Sequence, residues 1–255
     1  MAETVWESRI SLSLSVVIPA YNESRRLPVT LRQVASYLAQ SRFVESEVIV
    51  VDDGSTDGTE SAAAAEGAVL GSAGIGLAVL RNTRNRGKGH SVRRGMLAAR
   101  HAWVLFCDAD QSAPIAEVER LLAAARDGRC QIAIGSRALD RSLIGRHQPP
   151  YREWMGRLFN LHARIVTGLE FRDTQCGFKL FELSAARHLA RRQRLERFGF
   201  DVELLYLGRK AGCSIVEVPI RWNDADGSSV SAWRGLAAFA EVWQVRWNDL
   251  LGRYR

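Results

Sequence analysis

Short apolar runs that stop abruptly at an aspartate, a proline or a glycine recur through the first half of the chain. Leu12–Ile18 closes at Pro19, Val48–Val51 at Asp52 and Asp53, Trp103–Cys107 at Asp108, and Gln131–Ile134 at Gly135. Largely apolar runs of this length predict strands buried on both faces. Segments with helical signals lie between them. One has Pro28 near its start and runs to about Gln40; a Ser-Thr-Asp-Gly turn leads into Thr59–Glu66. Leu77–Leu80 is a further strand, followed by a helix over Gly89–His101. Pro114 opens the next helix at its first turn and Gly128 ends it. This β-α alternation with short connections predicts an α/β fold built on a doubly wound, mostly parallel sheet.

The pattern is less regular after residue 137. It predicts a helix over Pro150–Thr167, a strand at Phe178–Phe181 and helices at Ser184–Arg191 and Asp201–Lys210. A strand at Ile215–Val218 and a final helix over Ser231–Leu251 complete it. No Gly/Ser/Pro-rich linker and no internal repeat divides the chain, so a single domain is expected over 1–255.

Composition narrows the classes. With 255 residues, 47% hydrophobic and 25% charged, the chain is long enough for one large α/β domain. Cys107, Cys130, Cys176 and Cys213 form no C-x-x-C pair, which favours reduced thiols over disulfides. Met1–Ser15 carries Glu3, Glu7 and Arg9 and lacks the apolar core of a secretory signal. The low-charge stretch Ser61–Leu80 contains Glu66 and four glycines, so a helix, a loop and a strand fit it better than a membrane span. Net charge is +7, which suits phosphate-bearing partners or an anionic membrane surface. Nucleic acid is not expected, because the arginine run Arg187–Arg197 belongs to no recognition motif and reads as a solvated face. The five histidines show no ligand spacing and there is no nucleophile elbow, which argues against zinc and serine hydrolases.

The candidate chemistry lies at the strand ends. Ligands of open parallel sheets bind beyond the carboxyl ends of the strands, so Asp52, Asp53, Asp108 and Asp110 should gather at one edge. Clustered carboxylates repel one another unless they hold a cation or hydrogen-bond a polyhydroxylated ligand. A metal-bound sugar nucleotide supplies both. Asn85-Arg86-Gly87-Lys88-Gly89 runs as a basic, glycine-punctuated turn into a helix N-terminus; it suits a diphosphate, or is a solvated basic loop. It lacks Walker A spacing. Arg137 follows the fifth strand at the same edge, and Arg141, Arg146, Arg152 and Arg157 come soon after; a guanidinium fork fits phosphate oxygens. Arg157 and Arg164 read as the basic solvent face of a helix.

Pro19-Ala20-Tyr21-Asn22-Glu23, Val51-Asp52-Asp53-Gly54-Ser55, Arg86-Gly87-Lys88-Gly89 and Asp108-Ala109-Asp110 occur in that order on those elements. Together they resemble an inverting glycosyltransferase of family 2 with the GT-A fold. The stretches Arg172–Phe181 and Phe200–Tyr206 resemble those of dolichyl-phosphate β-glucosyltransferases and their prokaryotic relatives, and the similarity covers roughly residues 13–231. The resemblance implies a donor-binding part over about 12–137 and an acceptor-side, membrane-facing part over about 138–255. It implies transfer of glucose from UDP-glucose to a polyprenyl or dolichyl phosphate, with Mg²⁺ or Mn²⁺ as cofactor. Asp110 would coordinate the metal and Asp108 the metal or ribose, with Ala109 between them at the donor. Asp53 would bind uridine beside Pro19, Ala20, Tyr21 and Glu23, while Arg86, Lys88 and Arg93 face the donor. Arg137 and Arg152 would hold the acceptor phosphate, with Asp173, Gln175 and Lys179 on the same side and Asp201 among the catalytic residues.

Three departures from the resemblance stand out. Ser112 occupies the place of a glutamine found in related mannosyltransferases, Gly227-Ser228-Ser229 replaces a Gly-Ser-Lys, and no counterpart of the eukaryotic membrane anchor is expected. The first leaves the third metal ligand open; the other two keep open a soluble hydroxyl acceptor, which would need Asp201 or Asp173 as base. A non-catalytic nucleotide-sugar binding protein is the alternative of another class. Helix 150–167 places Tyr151, Trp154, Met155, Leu158, Leu161, His162 and Ile165 on one stripe. The last helix does the same with Trp233, Leu236, Ala240, Trp243 and Trp247. Such stripes either pack into a core or lie in a membrane interface. A cytoplasmic, peripheral enzyme on the membrane face is therefore expected, without a transmembrane helix.

Overall fold

The computed structural model describes residues 12–224 and 232–255, without the side chains of 232–236. The expectations for residues 1–11, Gly227-Ser228-Ser229, Trp233 and Leu236 lie outside those described residues. The elements in order are β1 (Ser13–Ala20), α1 (Leu27–Gln40), β2 (Glu45–Asp52), α2 (Thr59–Ala65), α3 (Gly67–Ser72) and β3 (Gly76–Arg81). Next come α4 (Lys88–Ala98), β4 (Trp103–Cys107), α5 (Val118–Asp127), β5 (Ile132–Ser136), β6 (Ile144–Arg146) and α6 (Pro150–Thr167). Then follow β7 (Phe178–Glu182), α7 (Leu183–Arg192), α8 (Phe200–Lys210), β8 (Ile215–Pro219), β9 (Trp222–Asn223) and α9 (Ala232–Leu250).

Seven strands form one sheet in the order β3-β2-β1-β4-β7-β5-β8. All run parallel except β7, which pairs antiparallel with both β4 and β5. The apolar runs are explained by burial on both faces. Leu14, Val16 and Ile18 of β1 pack with Leu27 and Leu31 of α1 on one side. Val17 packs with Val92 and Met96 of α4, in a cluster that includes Phe200 of α8, on the other. Alternation along one strand thus feeds two cores.

The register of β7 brings the two halves of the site together. Cys107 pairs with Phe178 and Phe106 with Lys179, so the segment entering β7 arrives where β4 delivers Asp108. Short features escape the sequence pattern. A second helix, α3, replaces the expected loop after Glu66, and β6 and β9 form a small separate ribbon. Strands of two or three residues are too short to show periodicity. Among the described residues, no helix is long and apolar enough to cross a membrane.

Candidate active site

The ends of β1 and β2 are stitched together before they meet any ligand. Asn22 N–H donates to Ser55 Oγ (2.9 Å), Thr56 N–H to Asn22 Oδ1 (3.1 Å) and Glu23 N–H to Thr59 Oγ1 (2.8 Å). Pro19 and Ala20 are buried at the end of β1, and Tyr21 is exposed beyond it. Glu23 makes a bidentate pair with Arg26. Asp52 is fully buried; its Oδ1 accepts from Ser55 N–H and Oγ–H.

Asp53, expected on the uridine, is only 3% exposed and organises the neighbouring loop. Its carboxylate accepts from Asn82 Nδ2 (2.7 Å), Arg86 N–H (3.0 Å) and Gly87 N–H (2.7 Å). Each of its oxygens thus holds the neighbouring loop, and the carboxylate keeps acceptor capacity for the expected nucleoside contact. Gly87 has φ +115°, and a side chain there would collide with the Glu196 carbonyl oxygen. Only glycine fits that turn. The Arg86 guanidinium pairs with Glu196. Arg93 Nε donates to the Ala190 carbonyl of α7 (2.8 Å).

Lys88, the first residue of α4, reaches the end of β4. Its Nζ lies 2.6 Å from Asp108 Oδ1 and 5.2 Å from the centre of the Phe106 ring. Burial works against the ammonium, yet Asp108, Asp201 and Asp110 outweigh it and hold Lys88 above its ordinary pKa. Burial pushes the Asp108 carboxyl up and, despite Lys88, the negative charges of Asp110 and Asp201 add to the rise. Negative charge is thus in surplus, the condition that a hard cation relieves. Asp110 Oδ1 accepts Ser112 N–H (3.0 Å), and Ala109 is buried with its carbonyl bonded to Thr30 Oγ1. Among the described residues no group of three or more His, Cys, Asp or Glu is placed to hold a metal. Asp108 and Asp110 are the residues that would hold Mg²⁺ or Mn²⁺, hard cations that take carboxylate, water and phosphate oxygens.

The side expected to take the acceptor is built around Arg137, just past β5. Asp173 accepts its backbone N–H (3.0 Å), Nε–H (2.7 Å) and Nη2–H (2.8 Å). Burial opposes the charge on each partner, but the pair lowers the Asp173 pKa and raises that of Arg137. The guanidinium also lies 5.3 Å from the Trp222 ring centre. Lys179, expected to meet the acceptor, is 0% exposed. It donates instead to the Cys176 carbonyl (2.6 Å) and to Asp201 Oδ1 (2.5 Å), because its place in β7 points it into the protein. That correction makes Lys179 the support of Asp201.

A cavity of about 920 Å³ runs from Lys88, Asp201 and Arg137 outward between α6 and α9. Its cations are Lys88, Arg137, Arg141, Arg152, Arg157, Arg164 and Arg172, against the acids Glu153, Asp173 and Asp201. Gln175 lines it, and so do Arg157 and Arg164, read from sequence as a solvent face. Met155, Phe159, Leu161, Phe198, Trp222 and Phe239 supply apolar wall. The helices meet through Phe159 and Phe239, whose ring centres are 5.2 Å apart, and through His162 Nε2, 3.1 Å from the Phe239 carbonyl oxygen. The outer stripes stay uncovered: Trp154 is 62%, Ile165 74% and Trp247 61% exposed. They do not pack into the core. Trp222, Phe198, Phe239, Asn160 and Glu217 were not singled out from sequence. The only signal for any of them was the aromatic Trp222 just beyond a predicted strand.

Comparisons with known proteins bear on the family and the fold. The family model described as glycosyl transferase family 2 matches residues 15–190. A dolichyl-phosphate β-glucosyltransferase of Drosophila melanogaster is 38% identical over 98% of this chain and 79% of its own length. The human dolichyl-phosphate β-glucosyltransferase is 35% identical over 99% of this chain and 80% of its own. Among solved structures, glucosyl-3-phosphoglycerate synthase of M. tuberculosis in complex with Mn²⁺, UDP and glucosyl-3-phosphoglycerate superposes with a TM-score of 0.63. It is 19% identical, over 95% of this chain and 80% of that one. Mannosyl-3-phosphoglycerate synthase from Rubrobacter xylanophilus gives a TM-score of 0.67 at 18% identity, over 95% and 75% of the two chains. The fold is that of GT-A glycosyltransferases, and the chain belongs to glycosyl transferase family 2.

Proposed function

We propose that this enzyme transfers glucose from UDP-glucose to a polyprenyl phosphate of the dolichyl type, with inversion, at a membrane surface. One observation carries the reading: the cavity joins a cationic inner end at Lys88 and Arg137 to an apolar passage between α6 and α9. A phosphate on a long hydrocarbon tail needs both. The activity named for the relatives supports the sugar and the lipid phosphate.

The chemistry follows from the residues. Lys88 lies where the departing diphosphate gathers charge, and a preorganised cation there stabilises the transition state. A divalent ion held by Asp108 and Asp110 would supply further neutralisation of the diphosphate. Asp173 uses the Nε–Nη2 edge of Arg137, leaving the opposite edge for the acceptor phosphate, with Arg152 further along the cavity. A phosphate monoester has a second pKa of about 6, so it arrives largely ionised and needs alignment rather than a general base. Lys179 occupies one oxygen of Asp201, which weakens the reading of Asp201 as base for a soluble hydroxyl. Isothermal calorimetry with UDP present tests the acceptor. Farnesyl phosphate should bind in roughly the micromolar range, with farnesol and inorganic phosphate at least about tenfold weaker. Equal binding of all three would refute the lipid-phosphate site.

The membrane surface is the proposed occupant of the outer face of α6 and α9. Exposed Trp154, Trp243 and Trp247 beside the cavity-mouth arginines suit an anionic interface, and the +7 net charge adds to the attraction. The four cysteines are free, in keeping with work on the cytoplasmic side. The protein should float with anionic liposomes at low salt and less so as salt rises. Trp243→Glu with Trp247→Glu should reduce the floated fraction severalfold. A native protein that never floats at low salt would disprove the interfacial face.

A further inference from the structure

The segment between α6 and β7 touches both halves of the site. Asp173 grips Arg137 through three N–H groups. Four residues on, Gly177 lies so close to Asp108 that a Cβ there would collide with the Asp108 carboxylate. The Gly177 carbonyl also accepts Asp108 N–H (3.2 Å). The placement of this segment therefore sets the acceptor-side arginine and the donor-side acid together.

Besides Arg137 at Asp173 and Lys179 at the Cys176 carbonyl, two further side chains hold the segment. Glu217 of β8 accepts the N–H groups of Arg172 (2.9 Å) and Asp173 (2.8 Å), fixing one point to the sheet. The second anchor comes from α6. Asn160 Oδ1 accepts both the backbone N–H and the hydroxyl of Thr174, each at 2.8 Å, and Thr174 is fully buried. Because a backbone N–H can only donate, the Asn160 amide has its oxygen on that side. Its Nδ2 donates to the Gly156 carbonyl of the same helix (3.0 Å). One anchor belongs to the sheet and the other to the helix whose opposite stripe, Trp154 and Ile165, is bare.

We propose that Asn160 is a positioning residue. Through Thr174 it transmits the seating of α6 to the Arg137–Asp173 fork, so that the helix meeting the membrane also sets the alignment of the acceptor phosphate. This rests on the reading of α6 as the acceptor and membrane face. Asn160→Leu keeps the side chain's branching and heavy-atom count but strands two buried donors of Thr174, an uncompensated loss. Thr174→Val removes the hydroxyl, whereas Thr174→Ser keeps both donors.

The test separates alignment from folding and from the proposed activity. With farnesyl phosphate as acceptor, Asn160→Leu and Thr174→Val should lower kcat about tenfold or more. KM for UDP-glucose should stay within about twofold, since that site is held by other contacts, and Thr174→Ser should match the native enzyme. The double variant should be no worse than Asn160→Leu, because the two residues share one contact. An acceptor-independent readout is the NMR signal of Arg137 Nε–H, assigned by its loss in Arg137→Lys. It should be sharp and slowly exchanging in the native protein and in Thr174→Ser, but broadened in Thr174→Val and Asn160→Leu. An unchanged signal in folded Thr174→Val overturns the inference, as does a kcat that falls equally in Thr174→Ser and Thr174→Val. If the native enzyme transfers nothing to farnesyl phosphate, the proposed acceptor fails and the NMR comparison still decides the role of Asn160. If Asn160→Leu does not fold, the Val and Ser pair at Thr174 decides it.

Discussion

Asp110→Asn should slow glucosyl transfer at least about a hundredfold, equivalent to about 2.7 kcal/mol in barrier, and leave the fold intact. The amide preserves shape, and its oxygen can still accept the Ser112 N–H now bonded to Asp110 Oδ1. What it removes is one of the two negative charges offered to the divalent ion. Lys88 keeps its ion pair with Asp108, but the ion proposed for this site would be held less tightly and would neutralise the donor diphosphate less. The readouts are the initial rate with saturating Mn²⁺ or Mg²⁺ and the thermal midpoint of the variant. Native activity should vanish in excess EDTA and return when metal is restored. A native rate undiminished by EDTA would refute the two-acid metal site.

Arg137→Lys is expected to lower kcat about a hundredfold with a folded protein and UDP affinity changed by no more than a few-fold. Lysine is the informative replacement. Alanine would leave the buried Asp173 carboxylate without its partner, a change that costs on the order of 3–5 kcal/mol and confounds activity with folding. Lysine keeps a positive charge against Asp173 but cannot offer one edge of a fork to the carboxylate and the other to a phosphate. The loss should therefore appear in transfer and not in donor binding. A parallel loss of UDP affinity would mean that Arg137 serves the donor. Asp201→Asn should be milder than Arg137→Lys, because an ionised phosphate needs no base; the reverse order would favour a hydroxyl acceptor.

The sheet and its acids were legible because burial on both faces leaves an apolar run that ends where the ligand edge begins. Asp108, Asp110 and Lys88 fall together for that reason. The antiparallel β7 was visible as a strand, but its insertion between β4 and β5 depends on contacts far apart in sequence, so its register with β4 was not. That register explains the misreading of Lys179: a lysine beside a polar motif suggests ligand contact, yet its position opposite Phe106 turns it inward to Asp201. The partners of Arg86 and Arg93 were hidden for the same reason, since Glu196 and the Ala190 carbonyl reach them from later segments. The apolar stripes of α6 and α9 could be read either as core or as interface. Only the packing of Phe159, His162 and Phe239 between the helices shows which face is left bare.

The most direct test of the central claim is the product itself. The enzyme is incubated with UDP-glucose labelled in the sugar, a divalent metal and a short polyprenyl phosphate, and the organic phase is analysed by NMR. The account predicts label in that phase as a β-linked glucosyl phosphate, formed only when both metal and lipid phosphate are present. Label remaining in the aqueous phase, with transfer to a soluble alcohol instead, would contradict it.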